Sequence, residues 1–310
     1  MQILTVIGGI IGLYVGGEFL VRGAVRFSRV LGIRPIVVGL TVVAFGTSAP
    51  ELAASIVAAL KGAPGVVMGN VIGSNILNIG AILGIVALIH AITTTRSFLR
   101  RELPFMIGVC ALLLLLVPDG EISRLEGLFL IMLLGVYLVA VYQNRRSEAA
   151  AEERRLNKER VAGQVVRSLL EVTVGIAVLV IGARWLVIGA IDIATTLGIS
   201  ERIIGLTVVA LGTSLPELAS CVVAAAKHES DLILGNLVGS SVFNVLAILG
   251  FTALVRPIGV DPVTAIPDIL IMTGFAVIAI LMLAIGKKMN RWEGGVLLLL
   301  FGVYLLYLIG

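Results

Sequence analysis

Residues 39–55 read GLTVVAFGTSAPELAAS, a stretch that places one carboxylate, Glu51, among residues otherwise suited to hydrocarbon. An acidic side chain at the centre of a membrane helix costs at least ~2.5 kcal/mol, so it usually faces a partner, a cavity or a transported ion. The same pattern recurs at residues 205–220, GLTVVALGTSLPELAS, where Glu217 takes the place of Glu51. Two acids in one repeated apolar setting predict a functional site.

The motif also predicts a break in its own helix. Gly46 and Pro50 interrupt the apolar run, and a proline removes a backbone donor and turns the preceding residue away from helical geometry. We expect backbone carbonyls at about Ala44 to Gly46 to be released and to coordinate a cation. Broken backbone at membrane depth is tolerated only where it is buried in protein or lines a cavity.

The composition predicts an all-α membrane protein that crosses the bilayer several times. The 310 residues are 59% hydrophobic and 14% charged, with a mean hydropathy of +1.11, far from the composition of a soluble domain. The net charge is +4, but the basic residues lie in short loops and form no continuous basic face, so no nucleic-acid partner is expected. Cys110 and Cys221 lie in apolar runs and are expected to be packing residues.

Ten transmembrane helices are predicted from the rule that a span needs ~20 apolar residues. The fourth span is the shortest, and it is counted partly because the two halves of the chain must have the same number of spans. The predicted spans are 3–21, 36–60, 66–90, 103–117, 124–143, 168–194, 203–226, 232–255, 266–285 and 292–309.

The chain is an internal duplication. Shifting it by 166 residues aligns 39–84 with 205–250 without a gap, and 26 of the 46 positions are identical. Five spans in each copy place the second copy in the opposite orientation, giving an inverted repeat with broken helices at a midplane site, as in many secondary transporters. We predict one integrated transport domain made of a first repeat at 1–143, a connector at 144–167 and a second repeat at 168–310.

Loop charges give an independent prediction of the topology. With the N-terminus outside, 18 Lys and Arg residues fall in cytoplasmic loops and four fall outside, namely Lys61, Arg124, Arg202 and Arg256. This split obeys the positive-inside rule. We therefore expect a multi-pass protein of the cell (plasma or inner) membrane, with both termini outside and the connector 144–167 in the cytoplasm, solvated and partly helical.

A second polar stripe follows the broken helix in each half. Asn70, Ser74 and Asn78 recur at a spacing of four, which places them on one helical face. The second copy repeats the stripe with Asn236, Ser240 and Asn244. Hydroxyl, amide, carbonyl and carboxylate oxygens suit hard cations such as calcium or sodium, and disfavour zinc or copper. The alternative for Ser55, Asn70 and Asn236 is that they only join helices by hydrogen bonds.

Two motifs, GTSAPE and GTSLPE, are each followed by GNxxGS and an Asn. They resemble the alpha repeats of the calcium/cation antiporter superfamily, specifically the prokaryotic sodium/calcium exchangers. The resemblance covers almost the whole chain. It implies ten helices, a central group of ion sites, and alternating access by sliding of the first and sixth helices against the rest.

The resemblance also implies a ligand set. Calcium would be held by Glu51, Glu217, Thr47 and Thr213. Asn78 and Asn244 would flank the centre of the site. Relatives with Asp at the position of Asn244 have one more titratable group, so potassium co-transport or proton coupling at this position is disfavoured here. The sodium ligands would also include Ser48, Ser214, Ser74, Ser240 and the carbonyls of Ala44 and Ala210.

Electrostatics predicts a mechanism for such a site. Two carboxylates in low dielectric repel each other unless a cation lies between them, and one calcium or two sodium ions neutralise the pair equally well. Competition between Ca²⁺ and Na⁺ for the two carboxylates would therefore produce exchange of one ion for the other. A further sodium, as the resemblance implies, would make turnover electrogenic. No cofactor is expected beyond the transported Ca²⁺ and Na⁺, and no obligatory protein partner.

Three other functions use the same residues. A proton/calcium exchanger would use the carboxylates as proton carriers, although GTSxPE rather than GNxxE disfavours it. Paired acids could form an aspartyl-type hydrolase, but the duplication and the absence of GxGD, HExxH and GxSxG words predict that the chain is not an enzyme. An ion channel would show flux that needs no counter-ion.

Overall fold

The computed structural model describes residues 2–143, 158–196 and 210–309, and its fold is all-α. The predicted connector as far as residue 157 and the start of the second motif, 205–209, lie outside the described residues. Residues 158–167, also assigned to the connector, begin a long helix. The α-helices are Gln2–Leu31, Pro35–Val38, Ala44–Thr47, Ala49–Leu60, Pro64–Ile76, Leu83–Ile89, Arg96–Leu116, Arg124–Gln143, Lys158–Thr196, Ala210–Gly212, Leu215–Ala226, Ser230–Phe243, Gly250–Val255, Pro262–Ala284 and Arg291–Ile309.

Seven of the described helices are long and apolar enough to cross a membrane. The count is eight if the bent pair Pro35–Thr47 and Ala49–Leu60 forms one span. The helix Arg96–Leu116 covers the predicted fourth span, but charged residues crowd its first two turns. Leu215–Ala226, within the predicted seventh span, is a shorter apolar helix. The chain is therefore a helical membrane protein, and the number of ten spans stays a prediction.

The break predicted in the GTSAPE motif is confirmed. The helix stops at Ser48, with φ −81° and ψ 0°, and restarts as Ala49–Leu60 with Pro50 in its first turn. The described part of the second motif has the same form, because Ser214, with φ −92° and ψ 7°, precedes the helix Leu215–Ala226.

Among the described residues, three π-helical segments interrupt the α-helices, and the sequence did not predict them. Gly39–Val43 precedes the broken motif of the first half. Leu77–Ile82 and Asn244–Leu249 lie at nearly equivalent places in the two halves. Wide turns of this type widen the spacing between side chains on a face, and they are frequent at functional sites.

Contacts divide the chain into two units, neither of which coincides with one copy of the repeat. The first unit consists of Met1–Thr47 and Tyr142–Asn236, and the second of Ser48–Val141 and Leu237–Gly310. Each unit therefore takes parts from both halves of the chain.

In the first unit, the helices Gln2–Leu31 and Lys158–Thr196 pack with their backbones in contact along a row of glycines. A Cβ atom added to Gly16 would lie 2.6 Å from the backbone nitrogen of Leu179. A Cβ atom added to Gly182, the repeat equivalent of Gly16, would lie 2.7 Å from the backbone of the opposite helix. Small residues allow this close approach, as in other membrane helix pairs.

In the second unit, the helical run Pro64–Ile89 is antiparallel to residues 237–255, which are the part of the equivalent run Ser230–Val255 that belongs to this unit. Pro64 begins the earlier run, and Gly259 follows the end of the later one. The two residues lie side by side, because a Cβ atom added to Gly259 would be 3.9 Å from Pro64 Cγ. Further along, Asn75 bonds the backbone of Ser241, its equivalent in the other half. Position numbers therefore rise along one run as they fall along the other.

Two short antiparallel ribbons complete the second unit. The strand Ile92–Thr93 pairs with Lys288–Met289, and Glu121–Ile122 pairs with Ile258–Gly259. Each ribbon joins one strand from the first half of the chain to one from the second half.

Candidate functional site

Glu51 and Glu217 occupy the same local position in the two halves. Each lies in the first turn of the helix that restarts after the break, and each is only 1% exposed. A proline fits the first turn because its missing N–H would have no intrahelical partner there. This position places each carboxylate at the positive end of a helix dipole.

In the second unit, an amide ties the helix of Glu51 to the next helix. Asn70 Nδ2 donates to the backbone carbonyl of Glu51 at 3.1 Å and to Ser55 Oγ at 2.9 Å. The sequence left open whether Asn70 and Ser55 bind ions or join helices. These bonds support the second alternative for both residues.

In the first unit, Asn236 has the corresponding position and joins more groups. Its Nδ2 donates to Ser220 Oγ at 2.9 Å and lies 3.4 Å from Cys221 Sγ. Its Oδ1 accepts from the hydroxyl of Thr47 at 3.2 Å, and that hydroxyl also lies 3.1 Å from the carbonyl of Val43. Asn236 therefore joins helices and also orients a predicted calcium ligand.

Asn78 and Asn244 both lie in π-helical segments and are each 1% exposed. Their Oδ1 atoms are buried and accept no hydrogen bond from any of the described residues. A buried acceptor without a donor is costly unless something else satisfies it, and a cation is one such group. This is the property expected of an amide that flanks an ion.

The predicted hydroxyl ligands are also enclosed. Thr47, Ser48, Ser74, Ser214 and Ser240 are all buried. Thr213 is half-buried as a residue, but its Oγ1 is enclosed and has no hydrogen-bond partner in the part of the chain that the structure describes. The carbonyl predictions fall on Ala44, which is buried and begins the helix Ala44–Thr47, and on Ala210, which begins the helix Ala210–Gly212.

Each unit holds six of the twelve predicted ligands. Those in the first unit are Ala44, Thr47, Ala210, Thr213, Ser214 and Glu217. Those in the second unit are Ser48, Glu51, Ser74, Asn78, Ser240 and Asn244.

Sequence reasoning missed Asn75, a buried polar residue next to these ligands. Asn75 is 1% exposed, and its Oδ1 accepts from Asn244 Nδ2 at 3.0 Å. The signal was a difference between the two copies, which read GSN in the first half and GSS in the second. At this buried repeat position the first half has an amide, Asn75, and the second half has a hydroxyl, Ser241.

The donor set is one of oxygens. Among the described residues there is no group of three or more His, Cys, Asp or Glu side chains that could hold a metal ion. A cation here would therefore rely on carboxylate, hydroxyl, amide and carbonyl oxygens, which suit calcium and sodium.

Comparison with known proteins gives one consistent result. A family model described as "Sodium/calcium exchanger protein" matches residues 1–143 and 168–310. The sodium/calcium exchanger MaX1 of Methanosarcina acetivorans is 31% identical over 347 residues, which cover 99% of this chain and 98% of the relative. The putative antiporter CaxA of Alkalimonas amylolytica is 37% identical over 306 residues, covering 96% of this chain and 95% of the relative.

Solved structures agree with the sequence relatives. A structure of the sodium-calcium exchanger NCX_Mj superposes with a TM-score of 0.86 at 29% sequence identity. The match covers 98% of this chain and 97% of that chain.

Proposed function

Because the chain belongs to the sodium/calcium exchanger protein family, we propose that it exchanges Ca²⁺ for Na⁺ across the cell membrane by alternating access. The charged ligands of the proposed midplane site are Glu51 and Glu217. The neutral ligands are the remaining ten residues of the predicted set.

The observation that carries this proposal is the repeated burial of a glutamate behind a broken helix. Glu51 and Glu217 are each 1% exposed, in helices that are otherwise apolar. A buried carboxylate is costly unless a partner of opposite charge or several hydrogen-bond donors compensate it. A transported cation provides that charge, and the two glutamates together match one Ca²⁺ or two Na⁺.

The same electrostatics explains why transport would be coupled. With neither cation bound, two negative charges would have to cross the hydrophobic barrier when the site changes sides. The empty protein should therefore reorient slowly. Movement in one direction with Ca²⁺ and in the other with Na⁺ is then the favoured cycle, and a channel-like leak is disfavoured.

An inverted repeat of ten helices would place the two glutamates at similar depths. The antiparallel course of the two equivalent runs in the second unit supports it, and so does the bond between the equivalent positions Asn75 and Ser241. Two equivalent positions that touch lie close to the axis that relates the halves. The loop charges favour termini outside and the connector in the cytoplasm.

Calcium uptake into proteoliposomes tests this proposal. Purified protein would be reconstituted with outward gradients of sodium, potassium or protons in turn, each with and without an ionophore that removes the membrane potential. We expect calcium uptake with the sodium gradient and no uptake with the potassium or proton gradient. Uptake driven equally by protons would instead support the proton/calcium exchanger, and uptake without any counter-ion gradient would support a channel.

A further inference from the structure

Asn75, which was not among the predicted ligands, makes three polar contacts inside the second unit. Its Nδ2 donates to the backbone carbonyl of Ser241 at 3.2 Å and lies 3.5 Å from Met272 Sδ. Its Oδ1 accepts from Asn244 Nδ2 at 3.0 Å. All the polar groups of this side chain therefore have partners.

These contacts define the direction of both amides. A backbone carbonyl can only accept, so the NH₂ of Asn75 must face Ser241 and its oxygen must face Asn244. That oxygen in turn requires a donor, so the NH₂ of Asn244 must face Asn75. The remaining polar atom of Asn244, its Oδ1, is buried and accepts no hydrogen bond from the described residues.

We propose that Asn75 is a positioning residue of the ion site, which holds the amide of Asn244 so that its oxygen, and not its NH₂, is presented to the cation. The inference rests on the function proposed above. An amide turned by 180° would present two N–H groups, which repel a cation. The segment Asn244–Leu249 packs against the helix Ala49–Leu60, which carries Glu51.

The second copy of the repeat provides a matched control. The position equivalent to Asn75 is Ser241, whose Oγ donates to the carbonyl of Leu237 in its own helix at 2.9 Å. Ser241 takes part in the hydrogen bonds that orient Asn75 and Asn244 through its backbone carbonyl and not through its hydroxyl. Removing the Ser241 hydroxyl should therefore leave the orientation of Asn244 unchanged.

A double-mutant cycle on Ca²⁺ binding tests the proposal. Binding of Ca²⁺ alone to the purified full-length protein would be measured for Asn75→Leu with either Asn or Asp at position 244. With Asn244, loss of the orienting hydrogen bond should weaken Ca²⁺ binding about tenfold. With Asp at 244, the same change should have less than about a twofold effect, because either oxygen of a carboxyl group can face a cation.

The controls separate this inference from the proposed function. Ser241→Ala should bind Ca²⁺ like the wild type, and Asn75→Ser replaces Asn75→Leu in the cycle if melting curves show that the leucine variant does not fold. An equal loss in both backgrounds would mean that Asn75 has only a structural role, and no loss would mean no role, so either result would overturn the inference alone. Absence of Ca²⁺ binding by the wild type would overturn the proposed function together with it.

Discussion

The four asparagines of the polar stripes that follow the two broken helices fall into two groups. Asn70 and Asn236 use their amides to join neighbouring helices, whereas Asn78 and Asn244 keep an oxygen that accepts no bond from the described residues. The sequence predicted that the members of each stripe lie on one helical face. It could not separate the groups, because all four asparagines belong to stripes with the same spacing of four, and the sequence did not predict the π-helical segments in which Asn78 and Asn244 lie.

Replacing Asn244 by Asp should make exchange depend on pH. A protonated Asp resembles Asn in shape, so the rates of Asn244→Asp and the wild type should be closest at mildly acidic pH. As pH rises, the carboxyl loses its proton and adds a third negative charge to the proposed site, so the variant should diverge in rate or in cation selectivity. Sodium-dependent calcium uptake at several pH values, with and without potassium, measures this. Superimposable profiles in all conditions would place position 244 outside the electrostatic reach of the site.

Breaks in helices were predictable here only where a proline marks them. Pro50 removes a donor and so fixes the restart of its helix at Ala49. The segment Asn244–Leu249 has neither proline nor glycine, so local sequence gives no reason for a wide turn. Its six residues are all buried, which indicates that tertiary packing stabilises this geometry.

We predict that the close packing of the helices Gln2–Leu31 and Lys158–Thr196 depends on the row of glycines between them. A Cβ atom added to Gly12 would lie 2.9 Å from Gly182 Cα, whereas one added to Gly135, in the helix Arg124–Gln143, would meet nothing within 4 Å. Gly12→Leu should therefore force the two helices apart and lower stability by about 1–3 kcal/mol or more. Gly135→Leu should have little effect. Thermal melting in detergent compares them, and equal melting temperatures would show that the backbone contact is unimportant.

For the whole molecule, duplication was evident from the sequence, but the division into units was not. The two units cross the repeat boundaries, because each copy contributes segments to both. A contact such as Pro64 with Gly259 joins residues that are far apart in the chain, and no periodicity in either segment indicates its partner. Hydropathy could indicate where helices lie, whereas packing decides which helices form one body.

The inverted topology predicts opposite locations for two reporters. A cysteine or tag within residues 149–151 should be accessible only from the cytoplasm, and one at the C-terminus only from outside. The physical reason is the excess of Lys and Arg in the loops assigned to the cytoplasm. Impermeant thiol labelling of intact and opened cells gives the answer, with Cys110 and Cys221, both buried, replaced to remove background. Labelling of both sites from the same side would refute the inverted repeat.

Glu51 and Glu217 are proposed to bind the transported cations, and sodium-driven calcium uptake by Glu51→Gln and Glu217→Gln in proteoliposomes tests this assignment. Each variant removes one of the two negative charges that the proposed site uses to bind Ca²⁺, so we expect uptake to fall to background while melting curves show folded protein. Glu121→Gln, which changes an exposed glutamate in a ribbon strand, should transport like the wild type. Normal exchange in either Glu51→Gln or Glu217→Gln would contradict the assignment of the site.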